Sequence, residues 1–207
     1  MIQYPNIDPV ALYITETLQI RWYGLMYIAG FVMAWFVMRN RTRNLPKWKN
    51  VEVLNDFFFY AALGVILGGR IGYVLFYNFP GFLHDPLLLI KIWQGGMSFH
   101  GGLIGVILAI WWFSYRHAIP FVEACDFCAP AVPLGLAAGR IGNFINGELW
   151  GKPTTVPWAF QFPHVDSLGR HPSQLYGVLL EGALLFLILL WYSRKPRPMG
   201  NVAGVFL

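Results

Sequence analysis

Charge is scarce in this chain: Asp, Glu, Lys and Arg make up 12% of its 207 residues, against 57% hydrophobic. A soluble domain carries about twice that share of charge, so the profile is that of an integral membrane protein. Acids are scarcer than bases, ten against fifteen. The bases cluster in a few loops and form no stripe interleaved with aromatics, which reads as membrane topology and excludes a nucleic-acid surface. Only two cysteines occur, Cys125 and Cys128, spaced C-x-x-C with no βαβ pattern around them. Two ligands do not make a zinc site, so no metal or cofactor is expected and the pair reads as apolar filler. The first nineteen residues hold Pro5, Asp8, Pro9 and Glu16 without a basic n-region or small-residue cleavage site, so a secretory leader is not expected. No internal repeat is evident, and a single membrane domain over residues 1–207 is expected.

What is present is a series of apolar runs. The first, from about Leu18 to Met38, is long enough to cross a ~30 Å hydrocarbon core. Arg39, Arg41, Arg43, Lys47 and Lys49 follow, the densest basic cluster, which sets this loop inside and the N-terminus outside. A second span from about Val53 to Tyr77 carries Gly64, Gly68 and Gly72 at every fourth position, the spacing that lets membrane helices approach closely. The run Pro86 to Trp93 is too short to cross and is expected along the outer interface. A third span reaches from Gly95-Gly96-Met97-Ser98-Phe99-His100 to about Tyr115, a fourth from about Asp126 to Asn146, and a fifth from Pro172-Ser173-Gln174 to Tyr192. Arg194, Lys195 and Arg197 then return the chain to the inside. The stretch Val202 to Leu207 is too short to cross at 1.5 Å per residue and reads as the start of a sixth span. The expected fold is an all-α polytopic membrane helix bundle of about five complete spans.

The stretch that organises the chain is Gly139-Arg140-Ile141-Gly142-Asn143-Phe144-Ile145-Asn146-Gly147-Glu148-Leu149-Trp150-Gly151. On a helix Arg140, Asn143 and Gly147 share one face. An arginine there costs at least ~2.5 kcal/mol at the bilayer centre, so it is expected to face a cavity or a partner. Counting helical rise, Arg70 and Arg140 each sit roughly 20 Å from the inner surface. His100, Tyr23 and Glu148 belong to the same outer level, with Tyr73 and Tyr77 nearby. An excess of arginine at one depth favours an anion, and a phospholipid headgroup is the abundant one. Plainer readings stand beside this. Arg140 could pair with Glu148, Arg70 could pair with an acid or reach the interface, and His100 could cap its helix. Asp126 and Glu181 could satisfy neighbouring helices, Asp126 as an N-terminal acid. A non-enzymatic transporter or binding protein for anionic lipid, or a structural membrane subunit, would use the same residues differently.

The strings RWYGLMY (21–27), LGGRIGYVLFYN (67–78), GGMSFHGGLIG (95–105), GRIGNFINGELWG (139–151), RHPSQLY (170–176) and RKPRPMG (194–200) resemble the motifs of prolipoprotein diacylglyceryl transferase. The resemblance implies a bacterial transferase of the cytoplasmic (inner) membrane with its site towards the outer face and seven spans in the full-length family. It would move the diacylglyceryl group of phosphatidylglycerol to the lipobox cysteine in a preprolipoprotein signal peptide, the first step of lipoprotein maturation, without a metal or cofactor. It implies that Arg140 and His100 are catalytic, and that Tyr23, Asn143, Glu148 and Gly151 matter for substrate. Arg70 and Asn146 join them as candidates by position. It also implies a further essential arginine in a later helix, beyond Leu207. Many members carry an acid after the tyrosine of SQLY, where this chain has Gly177.

Overall fold

A computed structural model describes residues 1–15, 19–42 and 45–207. Glu16, Leu18 and Arg43, used above to read the first span, lie outside the described residues. Nine α-helices are described: α1 (Trp22–Thr42), α2 (Val51–Tyr77), α3 (Phe79–His84), α4 (Phe99–His117), α5 (Phe121–Cys128), α6 (Val132–Ile145), α7 (Ser173–Gly177), α8 (Leu185–Tyr192) and α9 (Asn201–Phe206). Among the described residues four helical stretches are long and apolar enough to cross a membrane: 22–42, 51–77, 121–145 and 173–192. The chain is a multi-pass helical membrane protein. The expected third span is α4, 19 residues long and bracketed by His100 at one end and Arg116 and His117 at the other. It is not among the four.

The first span starts later than its hydropathy suggests, because residues 19–21 form a strand. Strand β2 (Val10–Tyr13) pairs with β3 (Gln19–Arg21) in an antiparallel hairpin, and α1 begins only after it. The helix then runs on through Arg39 and Arg41, cations in its last turn where the helix dipole favours them. In the fourth span a 3-10 turn at Ala129–Ala131 separates α5 from α6, because Pro130 and Pro133 lack the N–H groups that an α-helix would use there. Asp126 therefore lies in the last turn of α5, and Glu123 is the acid of its first turn. This corrects the placement of Asp126 as an N-terminal acid.

The described residues fall into two compact units, Met38–Phe127 and Met1–Val37 with Cys128–Leu207. In the first, α2 and α4 run antiparallel in close contact. A Cβ on Gly64 would stand 2.6 Å from the Gly105 carbonyl oxygen, and one on Gly72 would stand 2.7 Å from the Gly101 Cα. The every-fourth-residue glycines thus do what their spacing promised, with a matching stripe on α4. At one end of this unit Trp48 is buried to 1% exposure and stacks on Phe127 at 3.8 Å and Phe113 at 5.6 Å between centroids. Lys47 pairs with Glu123 at 2.7 Å and His117 with Asp56 at 3.2 Å around it.

In the second unit α6 packs on α1 through Gly30, whose Cβ would lie 3.1 Å from Gly135 Cα. Ala129, Leu189 and Val202 form a small core. Two strands after α6 join one at the N-terminus in a three-stranded sheet that the all-α expectation did not contain. Strand β1 (Ile2–Gln3) lies parallel to β4 (Phe160–Gln161), with Ile2 opposite Phe160, and β5 (Gly169–Arg170) lies antiparallel to β4. Between α7 and α8 the fifth span contains a π-helical stretch, Val178–Leu184.

Candidate active site

The signature stretch ends a helix and then turns back on it. Helix α6 stops at Ile145, because Gly147 takes a left-handed backbone with φ of 67°, which glycine adopts without penalty. Gly147 is thus beyond the helix, and only Arg140 and Asn143 keep the shared face. The turn carries Glu148 back towards α6, where its Oε1 accepts hydrogen bonds from Asn143 Nδ2 at 2.9 Å and Asn146 Nδ2 at 3.2 Å. Tyr23 of α1 packs on the same spot. A Cβ on Gly142 would lie 2.8 Å from its ring, and Asn143 and Glu148 are beside its hydroxyl. Tyr23, Asn143, Asn146 and Glu148 are therefore brought together by the fold.

Arg140 pairs with Glu181 and not with Glu148, the acid that the plainer reading offered. Its Nε donates to Glu181 Oε2 at 3.0 Å and its Nη2 to both carboxylate oxygens at 2.9 and 3.3 Å. Glu148 is occupied by the two asparagines, so the Arg140–Glu148 pair is replaced by Arg140–Glu181. The pair is not sealed: the two side chains keep 35% and 48% of their surface. Nη1, with two N–H groups, has no protein partner among the described residues.

Arg70 is the opposite case. It is 2% exposed, and its Nε and Nη2 donate to the Leu88 carbonyl, Nη2 also to Lys91 (2.8 Å), and Nη1 to Gly95 and Gly96 (3.0 Å). A guanidinium has five N–H donors, and five bonds are made. Among the described residues no acid partners it, and all five donors are engaged by loop carbonyls. It thereby holds the 88–96 loop, which includes the 3-10 turns Pro86–Leu89 and Ile92–Gln94. That loop leads into α4. Ser98 N donates to the Gly69 carbonyl at 2.9 Å, and Ser98 Oγ caps the helix by accepting from Gly101 N at 3.1 Å. Capping thus falls to Ser98, and His100 is exposed at the second position of α4, its ring beside Phe99. Arg70 and His100 belong to the unit 38–127, Arg140 and its neighbours to the other.

Residues that the motif reading left unassigned hold the turn in place by its carbonyls. The Tyr4 hydroxyl lies 2.7 and 2.8 Å from the Phe144 and Ile145 oxygens. His164 Nε2 is 2.7 Å from the Gly147 oxygen and, facing a carbonyl, is the donor. Gln174 Nε2 donates to Glu148 O and Ser173 Oγ to Leu149 O, both at 2.6 Å. Arg170 Nη1 donates to Gly151 O at 3.1 Å, and Gly151 N to the His171 carbonyl at 2.9 Å. Gly151 must be small: a Cβ there would lie 2.7 Å from that carbonyl oxygen. Burial pushes the Tyr4 phenol up, and the Arg170 guanidinium holds the Asp166 carboxyl below its usual range. Trp158 donates to the Tyr176 hydroxyl at 2.7 Å, and His171 Nδ1 lies 3.0 Å from the same oxygen. An indole only donates, so the phenol accepts from Trp158 and its own hydrogen is available to His171. The string RHPSQLY could have pointed to some of these, since Ser173 and Gln174 open a helix without capping it.

Residues 9–207 match the family model described as prolipoprotein diacylglyceryl transferase. The chain belongs to this family. Three similar proteins are each named phosphatidylglycerol--prolipoprotein diacylglyceryl transferase. That of Legionella pneumophila (strain Lens) is 55% identical over all of this chain and 80% of its own length. That of Coxiella burnetii (strain Dugway 5J108-111) is 55% identical with 79% of its length covered, and that of Pseudomonas paraeruginosa is 56% identical with 77% covered.

Proposed function

We propose that this chain transfers the diacylglyceryl group of phosphatidylglycerol to the lipobox cysteine of preprolipoproteins, leaving a thioether and glycerol 1-phosphate. The observation that carries the reading is the family match across residues 9–207, joined to a signature arginine whose Nη1 edge is open. The site faces the outer surface of the bacterial inner membrane, a placement supported by the basic clusters after α1 and α8.

The chemistry follows from the residue types. A cysteine thiol with pKa near ~8.5 is only a small fraction thiolate at neutral pH, so a base helps. His100 takes the thiol proton. Sulfur attacks the glycerol carbon that bears the phosphate, the C–S bond forms, and the C–O bond to the phosphate breaks. Arg140 stabilises the charge that gathers on the departing glycerol phosphate. Tyr23, Asn143, Asn146, Glu148 and Gly151 line the headgroup pocket, and Glu148 is held as an acceptor by the two asparagines. Arg70 enters this reading by fixing the loop ahead of His100, not as a headgroup ligand.

The test is mass spectrometry of a labelled lipobox peptide incubated with the chain in phosphatidylglycerol vesicles. Transfer adds a diacylglyceryl mass to the cysteine, and Arg140→Ala abolishes it. Lipid binding without added mass would favour a transporter, and Arg140→Ala with normal transfer would remove the arginine from the mechanism.

A further inference from the structure

Arg140 is held from one side only, and what holds it is built into an irregular turn. The π-helical stretch Val178–Leu184 places Glu181 so that both carboxylate oxygens meet the Nε/Nη2 edge of the guanidinium at 2.9 to 3.3 Å. Such widened turns are rare and recur at functional sites. One turn earlier, Gly177 gives Arg140 its room. A Cβ on Gly177 would lie 2.8 Å from Nε and 3.0 Å from both Cγ and Cδ of the arginine stem. One residue past Glu181, Gly182 brings the backbone against α6, where a Cβ would stand 2.6 Å from Ala137 Cβ. Arg140 is therefore slotted along a glycine and clamped by a carboxylate, with the Nη1 edge left open among the described residues.

We propose that Glu181 is a positioning residue for Arg140 and that the bare backbone at Gly177 is part of the same device, together aiming the Nη1 edge of the guanidinium at the substrate phosphate. The proposal rests on the reading of Arg140 as the headgroup ligand. Two consequences separate positioning from binding. The carboxylate is itself an anion beside the phosphate's arginine, so it does not assist headgroup attraction and weakly opposes it. Its benefit is orientation, which appears in the rate of the chemical step. A guanidinium binding carboxylate by one edge and phosphate by the other is also a task that its planar fork permits and an ammonium does not.

The experiment titrates phosphatidylglycerol in phosphatidylcholine vesicles and follows thioether formation on a labelled lipobox peptide, giving kcat and KM for each variant. Glu181→Gln keeps one hydrogen bond to Arg140 and removes the charge. It is expected to lower kcat roughly tenfold to a hundredfold while KM for phosphatidylglycerol stays level or falls. Gly177→Ala leaves Glu181 intact, improves helix propensity, and is expected to lower kcat by displacing Arg140. That variant carries the test if Glu181 changes impair folding. Both variants within twofold of the parent would overturn the proposal. A raised KM with unchanged kcat would do so too, since Glu181 would then be a substrate ligand. Arg140→Ala runs alongside. If it is inactive while both variants behave like the parent, only the present proposal fails; if it is fully active, the reading of Arg140 fails first.

Discussion

Two arginines sit in apolar helices, each four residues or fewer from a glycine, and residue type alone gives them the same meaning. Arg70 is saturated: five bonds to backbone carbonyls at 2% exposure. Arg140 is half-used: one edge on Glu181, one edge open, 35% of the side chain exposed. The first arrangement neutralises no charge, but it gives every N–H of a buried guanidinium a dipole to point at, and it ties a loop of apolar residues to a helix. The second leaves an edge of N–H donors open to a ligand that brings acceptors. Donor accounting, rather than depth in the membrane, is what separates the two arginines.

The sharpest way to break this contrast is to remove each arginine and ask about folding rather than activity. Arg70→Ala leaves four loop carbonyls without their donor. At ~0.5–1.5 kcal/mol net for each of five lost hydrogen bonds, the sum is ~3 kcal/mol or more. The variant is expected to melt far below the parent in detergent, with early proteolytic cleavage between Asp85 and Ser98. Arg70→Lys should do little better, because three donors on one nitrogen cannot span the same carbonyls. Arg140→Ala is expected to melt near the parent, because exposed ion pairs contribute ~1 kcal/mol or less. Equal destabilisation by the two changes would erase the distinction.

Activity should invert the order. Arg140→Lys keeps the charge but cannot hold Glu181 with one edge and offer another, so kcat is expected to fall ~10²–10³-fold, the range seen when a single charge-stabilising donor is lost. Measured on the peptide assay, a loss below tenfold would mean that charge alone suffices and that the geometry around Arg140 is incidental.

The sequence made the helices legible, and the reasons it missed other features are local. Apolar length located the stretches 22–42, 51–77, 121–145 and 173–192 to within a few residues, and the Gly64, Gly68, Gly72 spacing announced a close helix pair. The start of α1 was misplaced because the apolar run was read from Leu18, whereas residues 19–21 pair with β2 and the helix begins at Trp22. The plainer reading offered Glu148 as a partner of Arg140, whereas Glu181 lies 41 residues on and meets Arg140 from a π-helical stretch that no periodicity signals. The carbonyl holders Tyr4, His164 and Gln174 were invisible for the same reason. Backbone acceptors have no letter in a sequence, so a residue whose partner is a carbonyl leaves no pairing to read.

Those holders set a smaller prediction. Gln174 is fully buried, its Nε2 serving the Glu148 carbonyl and its Oε1 lacking a partner among the described residues. Gln174→Ala is expected to cost ~1–3 kcal/mol in stability and to lower activity by loosening the turn that presents Glu148, checked by thermal melting and by kcat together. A loss of stability with unchanged kcat would show that the turn keeps its shape without this bond, and that Glu148 owes its position to Asn143 and Asn146.

The smallest effect belongs to the ion pair outside the membrane segments. Arg170 Nη2 meets Asp166 Oδ2 at 2.5 Å, and this bond is the main reason the Asp166 pKa lies below its ordinary value. A carboxyl whose folded pKa is depressed contributes stability that is present above its unfolded pKa, near ~3.9, and is lost as pH falls through the lower folded value. Between pH 8 and 5 the pair should therefore be constant, and only under strong acid should the parent lose its advantage over Asp166→Asn. Because the pair is partly exposed, salt should shrink that difference further. Arg170 also donates to the Gly151 carbonyl, so Arg170→Ala is expected to cost more than Asp166→Asn. If instead the two variants melt alike at pH 7, the arginine's value lies in its charge partner, and its grip on the signature turn counts for nothing. Arg170 would then resemble neither the saturated Arg70 nor the aimed Arg140.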